Sequence, residues 1–155
     1  MSKKKLLFAT DYSQASQHAF QYAVWLAHHL QGDLYIVHVS DREQYPVGED
    51  FDEEPAPSQE EIDRLRSVSP DEPSIRCEYR LLYGEPGSAE ITRPAKVIVD
   101  FAKNENIDMI VLGTHGRSGF GHLLMGSVAE YVVRHAHCPV VTVRQSKELQ
   151  ITSDS

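Results

Sequence analysis

The chain reads as a three-layer α/β protein, an open sheet of five mainly parallel strands with helices on both faces, and three observations predict it. Apolar runs and amphipathic stretches alternate in the order β-α-β-α-β-α-β-α-β. Two of the runs, Leu34–Val39 and Asp108–Gly113, are almost continuously apolar, as parallel strands covered on both faces require. Glycines gather where the second of these runs hands over to a helix. In such open sheets ligands collect outside the carboxyl ends of the strands, where the strand order reverses, so Asp11 and Gly113, both at strand ends, are expected to border one cleft.

The first strand is Lys5–Thr10, ending at Asp11. From Ser13 to Leu30 apolar residues recur at three and four (Ala15, Ala19, Tyr22, Ala23, Leu26, Ala27, Leu30), the period of a helix with one inward face. Ser13 is the expected N-cap, and Gln31-Gly32 the stop, with glycine in the left-handed position. Leu34–Val39 is the second strand. Proline, glycine and acid dominate Ser40 to Pro57, which predicts a loop. Ser58-Gln-Glu-Glu61 has the capping-box pattern and opens a helix of about three turns at roughly 3.6 residues each, with Ile62 and Leu65 inward.

Ile75 to Tyr83 alternates (Ile75, Cys77, Tyr79, Leu81), which suggests a strand at the sheet edge. Pro94 suits a first helical turn, and Val97, Ile98, Phe101 and Ala102 form the stripe of a helix to about Asn104. Asp108–Gly113 is the fourth strand, Ser127–His135 the last helix with Val128, Tyr131 and Val132 inward, and Pro139–Val143 the last strand. The expected organisation is one domain over 1–145, carrying an acidic loop at 41–57, with a polar tail at 146–155.

The segment between the fourth strand and the last helix, Gly113-Thr-His-Gly-Arg117 through Gly126-Ser127, carries the chemistry. Glycines let backbone N–H groups turn inward and let an anion approach without a Cβ in the way, and Gly126-Ser127 falls where a helix begins, with its unpaired N–H groups and positive dipole end. The spacing excludes two other phosphate loops. Met125 and Gly126 precede Ser127, so there is no Walker lysine, and the first strand-to-helix turn, Ala9-Thr-Asp-Tyr-Ser13, contains no glycine for a dinucleotide fingerprint. His135-Ala-His137-Cys138 has ligand types suited to zinc, but residues two apart near a helix end do not share a face. Ser118 does not begin a nucleophile elbow, since Phe120 stands where glycine is needed.

Composition narrows the partners. The formal net charge of the 155 residues is −8. Between Asp41 and Asp63 ten acidic residues face Arg42 alone, a local balance of −9, which leaves the rest of the chain near +1. No basic face for nucleic acid results, and recognition of a nucleotide rests on local N–H groups and Arg117. The apolar stretch after Lys3-Lys-Lys5 stops at Thr10-Asp11, too short for a signal-peptide core or a membrane span, and two distant cysteines make no disulfide framework. A cytoplasmic protein with no membrane partner is expected.

These segments together resemble the universal stress protein family, nucleotide-binding type. The likeness runs from Leu6-Leu-Phe-Ala-Thr-Asp-Tyr-Ser13 through Val37-His-Val39 and Tyr83-Gly84 to Gly113-x-x-Gly116, nine residues, Gly126-Ser127, followed by Ala136-His-Cys-Pro-Val-Val-Thr-Val143. The resemblance implies a Rossmann-like fold of the adenine nucleotide alpha hydrolase kind. It implies ATP, or AMP or ADP, and a homodimer joined through the last strand around Val140–Val143 in a regulatory or stress-response role; Mg²⁺ near Asp11 is a further expectation of the site chemistry. Carried over by motif, Asp11 lies against ribose or adenine and Val39 offers backbone groups to the adenine edge, while Gly113, Gly116, Gly126, Ser127 and Val128 hold ribose and phosphates, with Arg117 as a mobile counter-charge. Slow ATP hydrolysis, self-phosphorylation on a hydroxyl such as Ser118 or Ser127, and a nucleotide-free dimerisation module stand as alternatives. The second helix is shorter than is usual in the family, and Gly84 to Pro94 looks extended by an insertion.

Overall fold

A computed structural model describes residues 2–41, 58–84, 93–115 and 125–145. Nine elements follow the predicted order: β1 (Lys5–Ala9), α1 (Gln14–Leu30), β2 (Asp33–Ser40), α2 (Gln59–Arg66), β3 (Cys77–Tyr83), α3 (Arg93–Asn104), β4 (Met109–Gly113), α4 (Ser127–His135) and β5 (Val140–Val143). The five strands form one sheet in the order β3-β2-β1-β4-β5, and every neighbouring pair is parallel. β1 is therefore the central strand, pairing Leu6 with Leu34 on one side and with Met109 on the other. The chain reverses its direction of travel across the sheet here, and the switch point lies between β1 and β4. β3 occupies one edge, as its alternation predicts.

Successive residues of β1 point to opposite faces and seed two cores. Leu6 and Phe8 pack with Leu34, Ile36, Leu65 and the alanines of α1, whereas Leu7 packs with Val37, Ile98, Ile110, Ala129 and Val132 of the other layer. Helices α1 and α2 thus cover one face, and α3 and α4 the other. Of the larger side chains among these, eight (Leu6, Leu7, Phe8, Leu34, Ile36, Val37, Ile110 and Val132) are fully buried. Replacing a leucine, isoleucine or phenylalanine among them by alanine costs about 2–5 kcal/mol through lost transfer energy and the cavity left behind.

The inward face of α1 is narrower than its sequence pattern suggests. Ala15, Ala19, Ala23 and Ala27, each four residues apart, are buried, but Tyr22 and Leu30 are exposed. Alanines bring the helix axis close to the sheet, and at that distance only the narrow strip facing the strands is covered.

Two cap assignments also change. Ser13 does cap α1, its side chain accepting from the Ser16 N–H. At the other end the left-handed residue is Gln31, with φ of 52°, not Gly32. Gly32 occupies the next position, donating its N–H to Ala27 O at 2.9 Å in the manner of a Schellman turn. Glycine is needed there for space: a Cβ would stand 2.7 Å from both Leu6 Cδ1 and Lys4 O. The capping box of α2 does not form through Ser58, whose side chain makes no cap hydrogen bond. Glu61 instead accepts from the Ser40 hydroxyl at 2.9 Å, tying α2 to the end of β2, and α2 spans eight residues rather than three full turns.

Candidate functional site

At the carboxyl end of the sheet, over the switch point, lies a cleft of about 320 Å³, within the range of small-molecule sites. Its walls come from the ends of β1, β2 and β4 and the starts of α3 and α4. Six expected residues, Asp11, Val39, Gly113, Gly126, Ser127 and Val128, all line it. They are separated by as many as 117 positions in the chain, and the topology alone unites them. Gly116 and Arg117 fall outside the described residues, as do Ser118 and almost all of the acidic loop.

The β1–α1 turn forms one wall. Asp11 Oδ1 accepts from the Ser13 N–H at 2.9 Å, an Asx turn that fixes the carboxylate beside the cleft, so the turn role and the cleft position coexist. Between them Tyr12 sits at φ 65°, a conformation a bulky residue adopts only when its surroundings hold it. Thr10 holds it twice over. Its Oγ1 accepts from the Tyr12 N–H at 3.0 Å and from the Ser16 hydroxyl at 2.9 Å, while its own N–H continues the sheet to Val37 O. Outside the turn, the Tyr12 ring lies 4.5 Å from the His38 ring and 4.0 Å from the Arg64 guanidinium carbon. Burial pushes the Tyr12 phenol up from its usual range; the Arg64 charge works against that shift.

His38 is buried under the second wall. Its Nδ1 lies 2.7 Å from Thr10 O, and because a carbonyl can only accept, Nδ1 carries the proton. This contact ties the end of β2 to the end of β1 and sets the position of Val39, the next residue along the rim.

The third wall joins β4 to α4. Thr114 donates its N–H to Val143 O, and its carbonyl accepts the Gly126 N–H, so the start of α4 is clamped to the end of β4. Gly126 is the N-cap of α4, in extended backbone, and no side chain caps the helix. The first bond of the helical ladder runs from the Glu130 N–H to Gly126 O at 3.0 Å. The N–H groups of Ser127, Val128 and Ala129 therefore precede the ladder, on residues that line the cleft. They form the positive end of the α4 dipole. Gly113 brings the end of β4 close to α1: a Cβ there would lie 3.3 Å from Ala15 O, a tight contact at the start of that helix.

The sequence reading missed Thr10, Ser16, His38 and Thr114. All four are buried polar residues, and periodicity scores polar residues as exposed. For Thr10 and Thr114 the signal is position, one residue beyond the ends of β1 and β4; His38 lies within β2 and Ser16 in the first turn of α1, where no local signal marks them. Of the cleft's described lining, Asp11 and Asp41 carry negative charge and none is lysine or arginine. No group of three His, Cys, Asp or Glu among the described residues is disposed to hold a metal. His135 Nδ1 lies 2.9 Å from Tyr131 O, and its ring stacks on Tyr131.

An open parallel sheet with its strand order reversing at a central switch point, under a cleft at the strand ends, defines a protein of the doubly wound α/β class. The chain belongs to the universal stress protein family, whose sequence model matches residues 3–144. It is similar to universal stress protein MJ0531 of Methanocaldococcus jannaschii, with 30% identity covering 94% of this chain and 84% of that protein. Among solved structures it resembles UspA from Lactobacillus plantarum at TM-score 0.65 and 26% identity, covering 93% of this chain and all of that one. The universal stress protein of Archaeoglobus fulgidus in complex with dAMP shares the fold at TM-score 0.54 and 20% identity, covering 91% of this chain and 97% of that one.

Proposed function

We propose that this chain binds an adenine nucleotide, ATP or its AMP or ADP relatives, in the switch-point cleft, and that binding serves regulation rather than rapid chemistry. The observation that carries the reading is the convergence of Asp11, Val39, Gly113, Gly126, Ser127 and Val128 on one cleft whose far wall presents three N–H groups at a helix start. Such groups suit phosphate oxygens, and the Ser127 hydroxyl adds a donor beside them. Backbone groups at Val39 suit the adenine edge, and Asp11 suits a ribose hydroxyl. The dAMP complex of the Archaeoglobus relative is consistent with that class of ligand.

Asp11 and Asp41 both reach the cleft lining, which fits a Mg²⁺ ion accompanying the phosphates, since Mg²⁺ takes one or two carboxylates and keeps several waters. Arg117 would add a counter-charge. Binding energy is available for conformation: a nucleotide that contacts both the β1–α1 turn and the start of α4 links the two halves of the sheet.

The second edge of the sheet, β5, pairs with β4 on one side only, and Val140 and Val141 are half-buried. An open edge of this kind is a template for pairing, which supports a homodimer through Val140–Val143. Calorimetric titration with ATP, AMP and GTP, with and without Mg²⁺, tests the proposal. Saturable one-to-one binding of the adenine nucleotides is expected; no heat and no thermal shift at millimolar ATP and AMP would leave only a dimerisation module.

A further inference from the structure

Behind the β1–α1 turn, on the α1 and α2 side of the sheet, lies a second cavity of about 370 Å³. It is separate in character from the nucleotide cleft. Phe8, Phe20 and Val68 give it apolar walls, no carboxylate contributes to it, and its one formal charge is Arg64. The Phe8 and Phe20 rings, 5.2 Å apart, make its floor part of the core and therefore rigid.

Arg64 is held in an unusual way for a surface arginine. Its guanidinium lies over the Tyr12 ring at 4.0 Å, and it makes no ion pair with any described residue. Stacking fixes the plane of the guanidinium while leaving its edge, a fork of N–H donors matched to a carboxylate, outside the stack. Beneath it, the Tyr12 hydroxyl is buried and has no hydrogen-bond partner among the described residues. Burial keeps that phenol protonated well into alkaline solution, so it remains a donor. Among the described residues Arg64 has no ion-pair partner and the Tyr12 hydroxyl no hydrogen-bond partner, the Glu61 carboxylate acting on that phenol only through its charge; with the apolar floor these are features that one kind of molecule meets together.

We infer that this cavity is a second ligand site, for a small organic monocarboxylate whose apolar body rests on Phe20 and Val68 and whose carboxylate pairs with Arg64. Because Tyr12 is the strained residue of the turn, a ligand here bears on the nucleotide cleft through shared structure. Thr10 and Ser16, joined by a hydroxyl contact of 2.9 Å, line both cavities. The site itself stands on its own geometry and does not depend on what the cleft binds.

The test is an NMR titration of the ¹⁵N-labelled full-length chain with benzoate, benzamide and inorganic phosphate in parallel. Benzoate is expected to give saturable amide shifts at Gln17, Ser67, Val68 and Ser69, with benzamide and phosphate each binding roughly tenfold more weakly, since each lacks one half of the recognition. Arg64→Gln should weaken benzoate roughly tenfold. Ser69→Trp, at an exposed rim position, should block it outright, and the two variants serve as checks on each other should either perturb the fold. Absence of localised shifts at tens of millimolar benzoate would overturn the inference. Equal binding of benzamide would remove the role of Arg64, and equal binding of phosphate that of the apolar floor; either result refutes the site as described.

Discussion

Gly126→Val is the perturbation that separates the site from the fold. Gly126 has φ −72° and ψ 168°, extended backbone that valine adopts without strain, and it lacks a side-chain cap already. The change in stability is therefore limited to the poorer N-cap preference of valine, about 1 kcal/mol or less. Binding is another matter. A phosphate cradled at the start of α4 takes charge-assisted hydrogen bonds of about 1.5–3 kcal/mol each from the N–H groups there. A branched side chain at the N-cap that keeps phosphate from two of the three costs about 3–6 kcal/mol, a rise in Kd of about 10²–10⁴-fold. Calorimetry with ATP and AMP on both proteins, alongside thermal melting by circular dichroism, measures the two effects separately. An affinity within threefold of the parent, in a variant that melts normally, would show that the ligand does not approach α4.

Ser127→Ala should weaken nucleotide binding by about 0.5–1.5 kcal/mol, the net value of one hydrogen bond, with no loss of helix; an unchanged Kd would take Ser127 out of the site. Gly32→Ala should destabilise the fold by about 1–3 kcal/mol through overpacking against Leu6 Cδ1 and Lys4 O, each 2.7 Å from the new Cβ, as read from urea unfolding. Stability should also fall at alkaline pH. Burial raises Cys77 and Cys138 from their ordinary 9.0 and Tyr12 and Tyr79 from 10.0, so the unfolded chain ionises first and the native state loses ground as pH rises past about 9. Urea midpoints from pH 8 to 10.5 would show it, and a flat profile would contradict it.

The architecture was legible because its signals are local and repeated. Alternating apolar runs gave nine elements within one or two residues of their observed ends, and the parallel, doubly covered character of β2 and β4 followed from their unbroken apolar composition. Local patterns failed where a tertiary distance decides. Tyr22 and Leu30 fit a helical stripe but lie outside the strip that α1 presses onto the sheet. Gln31 rather than Gly32 takes the left-handed turn, because the glycine is used to clear Leu6. Glu61 gives up its capping box for Ser40, a residue 21 positions away that no short motif contains.

The site divides the same way. From spacing alone, glycines and a serine at a helix start lead to the expectation of an anion site, and the structure brings Gly113, Gly126 and Ser127 to one cleft. The shell that shapes that cleft gives no such expectation: His38 reaching Thr10, Ser16 reaching Thr10, and Thr114 clamping Gly126 are contacts made only once β1, β2 and β4 lie side by side. The second cavity was invisible in the sequence for that reason, since Tyr12 and Arg64 stand 52 positions apart.

The most direct test of the central claim is native mass spectrometry of the purified protein titrated with ATP and AMP. One adenine nucleotide per chain is expected, with that adduct lost in Gly126→Val. A protein that takes up no nucleotide, or one whose adduct survives Gly126→Val undiminished, would contradict the account.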